Sequence, residues 1–281
     1  MLLEGKICMV TGATAGIGFV TARELARKGA AVVVVGRNPA KGERVVQEIR
    51  AITGNQRVEF ERADLSKQAD VRRLARDFAD RYPQLDVLVN NVGAILATRQ
   101  LSADGIEMTF ALNHLSYFLL TNLLLPKLKA APAGRIVNVA SAAHRGAELD
   151  FDDLQCERRY SGWKAYQRSK LANLLFTYEL ASRLDGSTVT ANALHPGFVA
   201  SRFGLNNGPL FRLGMRIAFM VSAIPVEEGA QTSVYLASSP EVGGMTGRYF
   251  IKCKPAESSA ASRDPEAARR LWEISEAMTA S

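Results

Sequence analysis

The chain has 281 residues, of which 47% are hydrophobic and 22% charged, which allows one large α/β domain and excludes wholesale disorder. Its formal net charge is +7, but the lysines and arginines are spread among acidic residues. Nucleic-acid binding needs a clustered basic patch, so we predict no nucleic-acid partner. The three cysteines lie far apart and show neither a disulfide framework nor metal-ligand spacing, so we predict no metal site and a cytoplasmic location.

Targeting and membrane-spanning signals are weak in this sequence. Residues 1–6 lack the apolar core of a signal peptide. The nearest candidate for a membrane span, residues 209–225, is interrupted by Arg212 and Arg216. We therefore expect no transmembrane segment.

Short apolar runs alternate along the chain with longer segments of helical periodicity. Strands are predicted over residues 6–11, 30–36, 58–62, 85–90, 135–141, 188–195 and 248–251. Helices are predicted over residues 18–28, 39–52, 66–81, 104–129, 161–183, 226–237 and 265–278. The alternation predicts a single doubly wound (Rossmann-type) α/β domain over residues 1–281, with about seven parallel strands and helices on both faces. The ligand of such a sheet lies at the carboxyl ends of its strands.

The first predicted strand ends in a glycine-rich turn, Thr11-Gly12-Ala13-Thr14-Ala15-Gly16-Ile17-Gly18. Glycines at these spacings allow a tight turn from strand to helix and let the backbone approach a pyrophosphate closely. The following helix then offers free N–H groups and a positive dipole end to the phosphates. The position between the first strand and the first helix favours a dinucleotide site over a plain tight turn.

The ends of the second and third strands bear on cofactor choice. An acidic residue after the second strand would hydrogen-bond a ribose 2′-hydroxyl, but this chain has Arg37 there, which suits a 2′-phosphate. We therefore predict NADP(H) rather than NAD(H). The alternative interpretation of Arg37 is an ordinary solvated arginine at the end of a strand. Asp64 is placed either to meet the adenine or to cap the following turn, and both roles stay open. Ser66 is predicted to cap the third helix, with Asp70 in its first turn.

Tyr166 and Lys170 are four residues apart on a predicted helix, so their side chains share one face. A free tyrosine has a pKa of about 10, and a neighbouring ammonium stabilises the phenolate and makes tyrosine a workable acid or base. Ser141 ends the fifth strand, at the edge where a ligand is expected, and its hydroxyl can orient a substrate oxygen.

Taken together, these residues resemble the short-chain dehydrogenase/reductase family and, within it, the retinol dehydrogenase-like group. The resemblance extends over essentially the whole chain. It rests on Thr11-Gly12-x3-Gly16-Ile17-Gly18, Asn90-Asn91-Val92-Gly93, Asn113-His114, Ser141, Tyr166-x3-Lys170 and His195-Pro196-Gly197. The segments Ser169-Lys170-Leu171-Ala172-Asn173 and Glu228-Gly229-Ala230-Gln231-Thr232-Ser233 are similar to the retinol dehydrogenase-like group.

The resemblance implies a catalytic set, a cofactor site and an oligomer. Tyr166 is expected to give or take the proton, Ser141 to polarise the carbonyl group, and Lys170 to clamp the ribose and tune the phenol. Asn113 is expected to hold a water that links Lys170 to solvent. The residues expected to bind NADP(H) are Gly12, Thr14, Gly16, Ile17, Gly18, Arg37, Asp64, Leu65, Asn90, Gly93, Tyr166, Lys170, Pro196, Gly197, Val199 and Ser201. A homodimer or homotetramer is usual in this family.

Residues 198–225 are predicted to form a substrate lid, because apolar side chains crowd a long loop there. An apolar lid predicts a small hydrophobic alcohol or carbonyl substrate, an aldehyde or ketone that includes retinoid-like compounds. The same residues also suit a dimer surface or a peripheral membrane contact. The predicted function is hydride transfer between NADP(H) and this substrate. The alternative is a catalytically silent NADP(H)-sensing protein of the same fold.

Two histidines near the expected site have plainer interpretations. His114 is predicted to be packed rather than catalytic, and His144 either packs or lines the substrate cleft. The leucines of residues 113–128 are interpreted as core or subunit contacts.

Overall fold

The computed structural model describes residues 1–199 and 224–280, within which eight strands form one sheet. The strands are β1 (Ile7–Thr11), β2 (Ala31–Gly36), β3 (Val58–Arg62), β4 (Val87–Asn90), β5 (Arg135–Val139), β6 (Thr190–His195), β7 (Arg248–Ile251) and β8 (Lys254–Pro255). Their spatial order is β3-β2-β1-β4-β5-β6-β7-β8; neighbours from β3 to β7 are parallel, and β8 is antiparallel to β7. The predicted doubly wound fold is confirmed, and the short β8 is the strand that the sequence did not indicate.

Helices cover both faces of the sheet. They are α1 (Gly16–Arg27), α2 (Pro39–Thr53), α3 (Gln68–Arg81), α4 (Ser116–Ala130), α5 (Gly162–Arg183), α6 (Val226–Ser238) and α7 (Pro265–Met278). A short helix, Met108–Phe110, and a π-helical turn, Ala111–Leu115, lead into α4. One core cluster packs α1, α2 and α6 against one face, and another packs α3, α4 and α5 against the other. The central strands are apolar on both sides because both of their faces are covered.

The start of α3 differs from the sequence prediction. Ser66 does not cap this helix, which begins at Gln68 with Lys67 at its N-cap. The Gln68 N–H is instead capped from a distant loop, since it donates to Asp104 Oδ2 at 3.0 Å. Asp104 was predicted to begin a helix, but the helical region starts at Met108. A cap supplied from 36 residues away leaves no local sequence signal.

The helical region Met108–Ala130 is the one described helix long and apolar enough to cross a membrane, and its most apolar 18-residue window has a mean hydropathy of 1.2. Its most apolar window is 72% buried inside the fold. A helix buried to this extent is a core helix. Several leucines of residues 113–128, which we interpreted as core or subunit contacts, lie in the core cluster that packs α3, α4 and α5 against the sheet.

The C-terminal helix α7 closes this side of the core. The Trp272 ring stacks on Phe176 of α5 with 5.9 Å between centroids and meets Phe118 of α4 edge-on at 4.9 Å. The Arg183 guanidinium lies 4.2 Å from the centre of the Trp272 ring. His114 is packed in the same region, as predicted, with its Nε2 atom 2.8 Å from Ser275 Oγ. α7 is therefore part of the core and not a loosely attached tail.

We expect Trp272→Ala to lower the free energy of unfolding by roughly 3–5 kcal/mol, because it leaves a cavity where three aromatic rings meet. Urea unfolding monitored by circular dichroism measures the change. Trp163→Ala is the matched control, because Trp163 is 54% exposed while Trp272 is 6% exposed, and it should cost about 1 kcal/mol or less. Equal losses in the two variants would show that α7 does not contribute to the core.

Candidate active site

The glycine-rich turn packs directly against the segment that follows β4. Gly12 and Gly16 have φ values of +65° and +59°, in the left-handed region that favours glycine. A Cβ atom on Gly12 would lie 2.9 Å from Val92 Cα, and one on Gly18 would lie 2.5 Å from Asn91 Nδ2. The spacing of the glycines therefore has a steric cause in the structure: the turn, α1 and the β4 loop approach one another too closely for side chains.

The N-terminus of α1 is open toward the same edge of the sheet. Ala15 occupies the N-cap, no side chain caps the first turn, and that turn contains no acidic residue. Its N–H groups and the positive end of the helix dipole are therefore available to a phosphate group. Thr14 lies against Gly36 at the end of β2, where a Cβ would come within 2.5 Å of Thr14 Cγ2. Ile17 is half-buried in the first turn.

The ends of β2 and β3 place the residues predicted to contact the adenosine half of the cofactor. Arg37 follows β2 and is exposed, so its guanidinium can reach a ligand. Asp64 caps the turn that follows it, before α3. Its Oδ1 atom accepts hydrogen bonds from the Ser66 hydroxyl (2.7 Å) and the Ser66 N–H (3.2 Å). Contact of Asp64 with adenine stays a prediction. The Leu65 side chain is buried in the core cluster that packs α3, α4 and α5 against the sheet.

Asn90, at the end of β4, is held in a buried chain of amides and hydroxyls. Its Nδ2 atom donates to Thr121 Oγ1 at 3.0 Å and to Asn138 Oδ1 at 2.9 Å. The Asn138 amide in turn donates to Thr177 Oγ1 at 2.9 Å. These bonds join β4 and β5 to α4 and α5. Asn90 thus helps to hold the central strands and helices together, while its contact with NADP(H) stays a prediction.

Ser141, Tyr166 and Lys170 converge at the carboxyl edge of the sheet. The Tyr166 phenol is hydrogen-bonded to the Ser141 side chain, which follows β5. The Lys170 Nζ atom lies 5.8 Å from the centre of the Tyr166 ring and donates to the Val139 carbonyl at 2.8 Å. All three residues are buried. The arrangement brings together a proton donor, a cation and an orienting hydroxyl.

Tyr117 is a member of this cluster that the sequence analysis missed. Its hydroxyl donates to the Val92 carbonyl at 2.7 Å, and its ring centre lies 5.7 Å from Lys170 Nζ. The ammonium therefore lies within 5.8 Å of the centres of two phenol rings, whose faces attract a cation. The available signal was spacing, because Tyr117 follows Asn113 by four residues on the same helical stretch.

Burial changes the proton affinity of both groups. It raises the pKa of Tyr166 to about 12, opposed in part by the hydrogen bond to Ser141. It lowers the pKa of Lys170 to about 7, because the charged ammonium loses solvation. We expected Lys170 to lower the pKa of Tyr166, but burial raises it. Without bound cofactor, the Tyr166 phenol is therefore protonated at neutral pH. That is the form needed to donate a proton.

Asn113 lies in the π-helical turn Ala111–Leu115, a type of irregularity that is frequent at functional sites. Its Oδ1 atom accepts from the Ala94 N–H at 2.9 Å, and its Nδ2 atom donates to the Ala94 carbonyl and to Ser169 Oγ, both at 2.9 Å. A Cβ on Gly93 would lie 3.6 Å from both Asn113 Oδ1 and Lys170 Nζ. Asn113 is thus beside Lys170, while its water-holding role stays a prediction.

The segment after β6 carries the residues predicted at the nicotinamide end. Gly197, which follows Pro196, has φ +92°, and a Cβ there would lie 2.5 Å from Ile224 Cδ1. Val199 forms an isolated parallel bridge with Ile224. The two flanks of residues 200–223 therefore meet beside the site. Ser201 and most of the predicted lid, residues 198–225, lie outside the described residues.

His144 is packed, and its ring is hydrogen-bonded to the backbone carbonyl of Ser141. Its Nδ1 atom lies 2.5 Å from the Ser141 carbonyl oxygen, and its Nε2 atom accepts from the Ser259 N–H at 3.1 Å. The hydrogen-bond pattern assigns the proton to Nδ1. The ring also meets Tyr249 edge-on at 5.2 Å. The imidazole thus ties the turn after β5 to the C-terminal segment, and it does not line a cleft.

Comparison with known proteins identifies the family of this chain. The family model for short chain dehydrogenase matches residues 6–208. The chain is 42% identical to human retinol dehydrogenase 14, with 99% of this chain and 87% of that protein aligned. It is 43% identical to human retinol dehydrogenase 12, with 97% and 86% aligned. The chain belongs to the short-chain dehydrogenase family, in its retinol dehydrogenase-like group. It is therefore an oxidoreductase by family.

Solved structures show the same fold as this short-chain dehydrogenase. An uncharacterized protein from Mycobacterium paratuberculosis superposes with a TM-score of 0.80 and 35% identity, covering 99% of this chain and 95% of that one. A short chain dehydrogenase from Escherichia coli CFT073, complexed with NADPH, gives a TM-score of 0.71 and 26% identity, covering 90% and 98%. The glycine cradle and the uncapped α1 N-terminus fit a nicotinamide dinucleotide in this chain.

The buried ammonium predicts a pH dependence of stability. The pKa of Lys170 is about 7 in the folded chain and about 10.4 in an unfolded one. Between these values the unfolded chain binds more protons, so this group makes stability rise with pH. We expect the unfolding free energy of the wild type, relative to Lys170→Met, to be lowest below pH 7 and to increase toward pH 9.

Urea unfolding at pH 6, 7, 8 and 9 without added nucleotide measures this difference. The Lys170→Met variant is the control, because it keeps an unbranched side chain of similar length and removes the titrating group. Parallel pH profiles for the two proteins would show that the ammonium is solvated and not buried.

Proposed function

We propose that this short-chain dehydrogenase transfers a hydride between NADP(H) and a small hydrophobic alcohol or carbonyl compound, an aldehyde or ketone that includes retinoid-like molecules. The observation that carries the proposal is the convergence of Ser141, Tyr166 and Lys170 at the sheet edge that also presents the uncapped N-terminus of α1. The exposed Arg37 at the end of β2 supports NADP(H) over NAD(H). Support also comes from relatives named retinol dehydrogenases and from a structural neighbour complexed with NADPH.

The residues of the site divide the proton chemistry among them. Ser141 holds the substrate oxygen, and Tyr166, protonated at neutral pH, delivers its proton to that oxygen during reduction. The Lys170 ammonium stabilises the phenolate that Tyr166 becomes. We propose that Asn113 holds the water that returns the proton. Bound NADP(H) supplies the hydride in reduction and accepts it in oxidation.

Tyr166→Phe removes the proton donor and leaves the ring in place. We expect turnover of an accepted carbonyl substrate with NADPH to fall by about 10²- to 10⁴-fold, the usual contribution of a general acid. NADPH affinity, measured by calorimetry, should change little. Tyr178→Phe is the control, since Tyr178 is on the same helix but its hydroxyl bonds to Ser258 at 2.8 Å.

Near-normal turnover by Tyr166→Phe would contradict the mechanism. Tight NADPH binding by the wild type without turnover across a broad aldehyde and ketone panel would instead favour the nucleotide-sensing alternative.

Arg37→Ala tests the cofactor preference. Loss of a charge-assisted hydrogen bond to the 2′-phosphate should weaken NADPH binding by about 10- to 100-fold and leave NADH binding almost unchanged. Arg76→Ala, an exposed arginine on α3, controls for the change in net charge. Equal loss of both nucleotides, or no loss of either, would show that Arg37 does not read the phosphate.

The one-domain organisation, the lid over residues 198–225, the cytoplasmic location and the homodimer or homotetramer stay predictions. The alternative roles of the lid residues, as a subunit surface or a peripheral membrane contact, stay open with them.

A further inference from the structure

Trp163 stands out among the large side chains of the described residues. It lies in the first turn of α5 and is 54% exposed, although a tryptophan side chain has more apolar area to bury than any other. The other tryptophan, Trp272, is in the core. An indole left in solvent beside an active site calls for a functional explanation.

The exposed indole is next to the proposed acid. Trp163 and Tyr166 are three residues apart on α5, so they share a helix face. Their ring centroids are 5.9 Å apart, with 31° between the ring planes. Tyr166 itself is only 8% exposed. Because the Tyr166 hydroxyl must reach the oxygen of the substrate, the group attached to the carbonyl carbon comes within reach of the indole.

The backbone under Trp163 is held in place by the loop after β4. A Cβ on Gly162 would lie 2.0 Å from the Leu96 carbonyl oxygen, so the first turn of α5 rests directly on that loop. Tyr160 anchors the same point, since its hydroxyl donates to the Leu96 carbonyl at 3.0 Å. The indole is therefore presented from a fixed turn.

We propose that the Trp163 indole forms one wall of the substrate site and selects carbonyl compounds whose carbonyl carbon bears a flat aryl or conjugated group. This inference rests on the proposed function and names its substrate class more narrowly. A flat π system stacks on an indole in an offset arrangement, whereas a saturated ring of the same size gains only apolar contact. The site thereby discriminates between substrates of equal volume by their flatness.

Acetophenone and cyclohexyl methyl ketone test the inference, because they differ in ring flatness and carry the same carbonyl group. In Trp163→Ala we expect kcat/KM with NADPH to fall by about 3- to 10-fold for acetophenone and to change less than 2-fold for the cyclohexyl ketone. Trp163→Phe should restore most of the preference. Equal losses for the two ketones, or none, would overturn the inference.

A binding measurement gives a readout that does not depend on turnover. In Trp272→Phe, Trp163 is the sole emitter, because the chain has 2 tryptophans. With NADP⁺ present and excitation at 295 nm, acetophenone should quench this emission by stacking, and the cyclohexyl ketone should not. Trp163→Phe, in which Trp272 is the emitter, should show no quenching. Quenching by both ketones or by neither in Trp272→Phe would overturn the inference.

The two proposals fail in different ways. If no carbonyl compound in a broad panel is reduced with NADPH, the proposed function fails. If carbonyl compounds are reduced while the ketone preference and the Trp163 quenching are absent, the proposed function stands and the role of Trp163 is wrong. An exposed indole that docks a partner protein or a membrane predicts this second outcome.

Discussion

The candidate site depends on a lysine ammonium buried among aromatic rings. Lys170 Nζ donates to a strand carbonyl at 2.8 Å and lies within 5.8 Å of the ring centres of Tyr117 and Tyr166. A buried charge is costly unless it is paired, and among the described residues the ammonium has a carbonyl dipole and two aromatic rings to compensate it. Its proton affinity is lowered as a result. The same burial raises the pKa of the neighbouring Tyr166 phenol to about 12.

Elements far apart in the chain hold this arrangement. The π-helical turn before α4 positions Asn113, and the first turn of α4 brings Tyr117 onto the ammonium. The C-terminal segment supports the site from the other side, because Ser259 donates to the imidazole that contacts the Ser141 carbonyl. α7 then covers α4 and α5 through Trp272. Segments from the middle and the C-terminal part of the chain thus support the site together with the sheet.

The glycine-rich turn is built by close approach of its own backbone to the loop after β4. Backbone atoms and the Asn91 amide occupy the space where side chains at Gly12 and Gly18 would project, and the first turn of α1 is left without a cap. Such a surface offers N–H groups and a dipole to an anion of any dinucleotide. In the function that we propose, the choice between nucleotides falls to the exposed Arg37 at the end of the neighbouring strand. That proposal separates cofactor binding from cofactor preference.

The sequence by itself determined the sheet, the order of its elements and the group of residues at its edge. Apolar runs and helical periodicity are local, and Tyr166 and Lys170 are one helical turn apart, so chain proximity alone brings them together. Only the tertiary structure decided the contacts between distant segments. The cap of α3 comes from Asp104, the second ring over Lys170 from Tyr117, and the support of Ser141 from Ser259. It also decided the proton affinities, because desolvation depends on everything packed around a group and has no signature in the residues beside it.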